Sequence, residues 1–165
     1  MADNQNLQQD IDGYDIVTNA IMVLMNNYPG LQQGEQFHFN SLDEAHGQAI
    51  FPNAGAIITE DYKDILGERE QICQYPFTVV FRAGGLTEDR RKKVKEYLDN
   101  LGRWLEKQPV TINNNTYQLD AYPVLTQGRR FTRIVRTTPA VCGGNYENGS
   151  EDWIISITAH YQHIF

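Results

Sequence analysis

The stretch Glu151-Asp152-Trp153-Ile154-Ile155-Ser156-Ile157-Thr158-Ala159-His160-Tyr161-Gln162-His163-Ile164-Phe165 decides the fold. Trp153, Ile155, Ile157, Ala159 and Tyr161 alternate with Ile154, Ser156, Thr158, His160 and Gln162. This period-2 pattern predicts a β-strand with one oily face and one mixed face. At about 15 residues it exceeds the usual strand length of 3 to 10. A strand this long either runs through the centre of a sheet with a frayed end, or reaches past its own domain to pair with a neighbour.

Working outward, Thr138 to Ser150 reads as a 13-residue loop rich in Gly, Asn and Pro, a length usual for contact loops or disorder. Before it, Arg129 to Thr137 reads as a strand with arginines at 129, 130, 133 and 136, interleaved with Phe131, Ile134 and Val135. Long cations on both faces of a strand resist burial in a monomer core. They fit a subunit interface, where arginine pairs with carboxylates, or an edge strand with snorkelling side chains.

Further strands are predicted over 36–39, 54–59, 71–82, 110–112 and 117–119, the last two flanking a hairpin turn at Asn113-Asn114-Asn115. Two helices complete the pattern. Val17, Ile21, Leu24 and Tyr28 share one face of a helix over 12–28, widened by Ile16, Ala20 and Val23, with Thr18 outside. Val94, Leu98, Leu101 and Leu105 stripe a helix over 88–107, N-capped by Thr87. Gly102 lies on that stripe and marks a place where another backbone packs close. Helix, strands, helix, strands is not the alternation of a doubly wound parallel sheet. The expectation is α+β: a mostly antiparallel β-sheet packed against two α-helices.

The chain has 165 residues, enough for one domain that buries about 70% of its unfolded surface. A flexible N-terminus of about residues 1–10 and the loop of about 138–150 are expected to stand apart from it. Charged residues total 21%, hydrophobic ones 41%, and the net charge is −7, so free nucleic acid is repelled on average. The longest apolar run, Ala20 to Met25, is far short of the roughly 20 residues that span a bilayer. Met1 to Asp12 holds three aspartates and no cation, which argues against a secretory signal, so Cys73 and Cys142 are expected as free thiols.

Walker, dinucleotide-binding, zinc-protease, CxxC and nucleophile-elbow motifs are missing from the sequence. His38, Asp43, Glu44 and His46 could supply metal ligands, but their spacing fits no established motif. Cys142-Gly143-Gly144 with His160 as base is a conceivable thiol site. His160 and His163 lie three apart on a strand and point to opposite faces. Arg90-Arg91-Lys92-Lys93 rings its helix rather than forming one patch. No cofactor is expected.

Several phrases, taken in order, resemble the minor capsid proteins encoded by siphophages and prophages of Gram-positive bacteria. They are Asp15-Ile16-Val17-Thr18-Asn19-Ala20-Ile21, Gln74-Tyr75-Pro76-Phe77-Thr78-Val79-Val80-Phe81-Arg82 and Leu101-Gly102-Arg103-Trp104-Leu105-Glu106-Lys107-Gln108-Pro109. Tyr122-Pro123, Gly128-Arg129, Thr138-Pro139-Ala140 and Glu151-Asp152-Trp153-Ile154-Ile155-Ser156-Ile157 complete the set. The resemblance implies a virion structural protein of the tail-terminator type, assembled in the host bacterial cytoplasm. It implies a sheet packed on two helices, and a homohexameric ring that caps the tail tube and meets the head–tail connector, with DNA only as passing cargo. It implies no catalytic residue and leaves another neck or minor capsid role open, with a metal- or thiol-dependent enzyme as the other alternative. Interface candidates are Arg129, Arg130, Arg133 and Arg136, with Glu151, Asp152 and Trp153 at the head of the last strand.

Overall fold

In the computed structural model, which describes residues 8–43 and 45–165, two long strands form the spine of a seven-stranded sheet. They are β4 (Arg69–Gly84) and β9 (Ser150–Ile164), antiparallel and in unbroken register from Glu70↔Ile164 to Gly84↔Ser150. Each is flanked by an interrupted partner. β2 (Gly47–Pro52) and β3 (Ile57–Lys63) share the free edge of β4, separated at the Pro52-Asn53 break. β7 (Arg129–Arg136) and β8 (Val141–Asn145) share the free edge of β9. The short β1 (Phe37–Phe39) adds to β2 as the sheet's parallel pair. A separate hairpin joins β5 (Val110–Ile112) to β6 (Asn115–Tyr117). Its two-residue turn, Asn113-Asn114, has φ of 51° and 66°, the left-handed pair that a tight hairpin needs.

Alternation along the spine separates two environments. Cys73, Tyr75, Phe77 and Val79 of β4 and Ile155, Ile157, Ala159 and Tyr161 of β9 are fully buried on one face. Helix α1 (Ile11–Met25) and helix α2 (Glu88–Leu105) pack on that same face, and all these residues belong to one apolar core. Val17, Ile21 and Leu24 line α1 as their spacing predicts, whereas the buried Tyr28 lies past its end at Met25. Ile16 and Ala20 pack against the core as expected, but Val23 stands exposed, and Thr18 is buried and hydrogen-bonds the Tyr75 hydroxyl at 2.6 Å. Helix α1 starts earlier than expected because Asp10 caps it, accepting from the Gly13 amide at 3.1 Å. Thr87 caps α2 by accepting from the Arg90 amide.

Of the two readings of the terminal strand the central one holds, and three expectations are corrected. The terminal strand is central, paired with β4 along its whole length and with β8 and β7 on its other edge, so it has no free stretch to offer a neighbour. The 138–150 segment is largely a hairpin: β8 folds back on β9 through a turn closed by Tyr146 N–H donating to the Ser150 carbonyl and Gly149 N–H to that of Tyr146. Of the N-terminal segment, residues 1–7 lie outside the described residues. Residues 8–10 are pinned: the Asp10 amide donates to the Ala56 carbonyl and the Ile58 amide to the Gln8 carbonyl. Gly102 faces the side chain of Arg136, not a backbone; a Cβ there would meet Arg136 Cδ at 2.2 Å. No helix among the described residues is long and apolar enough to cross a membrane.

Candidate functional site

The register of β7 shifts between Phe131 and Arg133. A bulge adds one residue to one strand, so side chains on either side of it no longer alternate in step. Here it places Arg129, Phe131, Ile134 and Arg136 on the helix-covered face, and Arg130, Arg133 and Val135 on the opposite face. The strand with cations on both sides is thereby resolved into two pairs of arginines with different work.

Arg129 and Arg136 are used within the chain. The Arg129 guanidinium donates from Nε and Nη2 to both oxygens of Asp10, at 2.9 and 2.7 Å, with both side chains almost fully buried. Tyr161 donates a third hydrogen bond to the same carboxylate at 2.7 Å, and the Gly13 amide a fourth. Burial alone would raise the Asp10 carboxyl, yet the bonds from Arg129 and Tyr161 hold it below the usual carboxylate value. Arg136 lies across Gly102 and bonds Glu106 at 2.7 Å.

Two acids at the head of β9 are also paired within the chain. Asp152 takes a bidentate bond from Arg82, at 2.6 and 2.9 Å, and one from the Tyr146 hydroxyl at 2.6 Å, while the Arg82 guanidinium lies over the Tyr146 ring. Glu151 accepts from Arg91 of α2 at 3.0 Å. Trp153 faces the helices and packs against the core, with its indole N–H buried and without a hydrogen-bond partner among the described residues. Of the seven interface candidates, Arg130 and Arg133 are therefore the two left facing outward.

They stand on the sheet face that carries no helix among the described residues. Arg130 bonds the Gln162 side chain at 2.9 Å, and neither arginine pairs with a carboxylate among the described residues. Beside Arg133, burial and the cation's charge lower the His160 pKa. Next to this basic end the same face carries Pro76, Thr78 and the buried Val80 on β4, Ser156 and Ile154 on β9, Val135 on β7 and Val141 on β8, and past them the Arg82–Asp152 ion pair.

The chemical candidates fare differently. His38, Asp43 and His46 do share a cleft of about 420 Å³ with Glu35, Gln48 and Arg82. No group of three or more His, Cys, Asp or Glu among the described residues is placed to hold a metal ion, and Glu44 lies outside the described residues. Cys142 sits opposite Trp153, seven residues along β9 from His160, a separation of about 23 Å along the strand that rules out that thiol–imidazole pair. His160 and His163 point to opposite faces, as expected. The basic run on α2 is partly neutralised, Arg91 by Glu151 and Lys92 by Glu88 at 3.8 Å.

One surface feature was missed from the sequence. The β3–β4 hairpin ends in Asp64-Ile65-Leu66-Gly67-Glu68, with Ile65 wholly and Leu66 84% exposed. Asp64 Oδ1 accepts from the amides of Leu66 and Glu68, and the left-handed Gly67 (φ +90°) closes the turn. The available signal was an Asp-Ile-Leu-Gly run set among charges, where turns ordinarily carry polar residues. Compared with known proteins, the chain matches no family model and no curated protein.

Proposed function

We propose that this chain is a structural protein of a tailed-bacteriophage virion, a tail terminator that caps the tail tube as a homo-oligomeric ring at the head–tail junction and catalyses no reaction. The phrases that resemble the minor capsid proteins of siphophages and prophages bring the role to mind. The α+β architecture is compatible with it. The observation that carries it is the sheet face free of helices among the described residues, with Arg130 and Arg133 set on it without a carboxylate partner among those residues. Surface arginine left without a carboxylate suits a protein interface.

A ring requires a heterologous interface, in which two different patches meet head to tail and the rotation closes. At −7 per copy, six copies carry about −42 before counterions bind. Acidic groups on a lumen would repel passing DNA from the wall and let it slide. The partners of this reading are further copies of the chain, the tail tube protein and the head–tail connector.

Electron imaging of the purified protein mixed with tail tubes tests the role. The expected result is an annulus at one end of each tube. Annuli that bind the connector and ignore the tubes would assign a neck position instead, and protein that decorates neither would overturn the reading.

A further inference from the structure

We infer that the β3–β4 hairpin is the male half of the contact between copies, and that it docks on the helix-free sheet face of the next copy. This deepens the ring reading and rests on it. The tip presents two neighbouring apolar side chains to solvent, Ile65 and Leu66, on a turn held rigid by the Asp64 carboxylate. The hairpin's root is equally fixed: Arg69 bonds Asp61, its guanidinium lies over the Phe165 ring, and the Phe165 amide donates to the Arg69 carbonyl. A pre-ordered apolar knob loses little conformational freedom on binding.

The occupant is identified by charge. Residues 60–70 carry five carboxylates against two cations. Asp61 is held by Arg69, Asp64 by its own turn, and Glu60 accepts from the Tyr62 hydroxyl, which leaves Glu68 and Glu70 for a partner. Among the described residues, Arg130 and Arg133 stand on the helix-free face without a carboxylate. Spacing agrees as well. Glu68 and Glu70 stand two and four residues back from the tip, about 7 to 14 Å along the strands. The Arg133 rung at His160 and the Arg130 rung at Gln162 stand two and four residues from the Val135 rung at Thr158, about 7 to 14 Å. With the tip on Val135, the carboxylates fall over the arginines. Knob and face lie on different parts of one molecule, so the contact is heterologous, as a ring needs.

Two variants test this in the full-length protein. Ile65→Asp with Leu66→Asp disables the knob, and Arg130→Glu with Arg133→Glu disables the face. None of the four residues lies in the core or in an ion pair. Wild type is expected to form rings, and each variant alone to raise the dissociation midpoint by about 100-fold or more. A 1:1 mixture of the two variants retains one intact knob and one intact face, and is expected to give a dimer that grows no further. Where the aspartate pair impairs folding, Ile65→Ser with Leu66→Ser replaces it. A knob variant that still forms wild-type rings overturns this contact and leaves the ring standing, and one that forms rings but no longer binds tail tubes assigns the knob to the tube. A monomeric wild type overturns both readings.

Discussion

Arg129 and Asp10 are 119 residues apart in the chain and meet as a bidentate pair with side chains 3% and 6% exposed. Removing one partner of such a pair strands a buried charge, so Arg129→Met is expected to lose about 3–5 kcal/mol of stability in urea denaturation. Arg129→Met combined with Asp10→Leu is expected to lose far less, because no charge is left unpaired. The pair also leaves a mark on acid stability. Asp10 has a folded pKa below its ordinary 3.8, so its contribution is complete above that value and is lost as pH falls below it. Burial lowers the pKa of His163 and His160 from 6.5, so their contribution is complete above pH 6.5 and fades as pH falls below it. The thermal midpoint should therefore decline in two steps, below 6.5 and again below 3.8, and His160→Gln with His163→Gln should remove the first step only. The thiols differ just as sharply. Burial pushes Cys73 up to about 11, whereas Cys142 is exposed. A disulfide reagent at pH 8 should titrate one thiol in the native protein and two in denaturant.

At the scale of elements, α2 and β7 are locked through Gly102, whose missing Cβ makes room for the Arg136 stem on its way to Glu106. Gly102→Ala should therefore destabilise the protein by about 1–2 kcal/mol despite the higher helix propensity of alanine. In an Arg136→Ala background the same change should stabilise it by up to about 1 kcal/mol, a difference of sign that a double-mutant cycle reads directly. Periodicity was enough to find α1, α2, β4 and β9, because their patterns are long and each buries one face. It did not find β8, whose Val141-Cys142-Gly143-Gly144-Asn145 is poor strand material held in place by pairing with β9. Nor could it find the bulge in β7. That bulge rests on backbone register with β9, and it alone puts Arg130 and Arg133 on one face. The ion-pair partners of Arg129, Glu151 and Asp152 lie 60 or more residues away in the chain, so these side chains looked more exposed in the sequence than they are. The knob at Ile65-Leu66 breaks the rule that turns are polar, and such local breaks are where function tends to sit.

For the described residues, one side of the sheet is covered by two helices and the other carries none, with an acidic hairpin at one end and two arginines without a carboxylate partner on the helix-free face. A surface with complementary parts in different places favours association of like with like in a closed ring. Because the arginines and the hairpin carboxylates are solvent-facing, ionic strength should weaken that association. Sedimentation equilibrium of the wild-type chain across a wide concentration range is the most direct test. The account predicts a single closed species whose mass is a fixed multiple of 18.9 kDa, six copies by the resemblance, and which gives way to monomers on dilution or in high salt. A mass of 18.9 kDa at every concentration, unchanged when tail tubes are added, would contradict it.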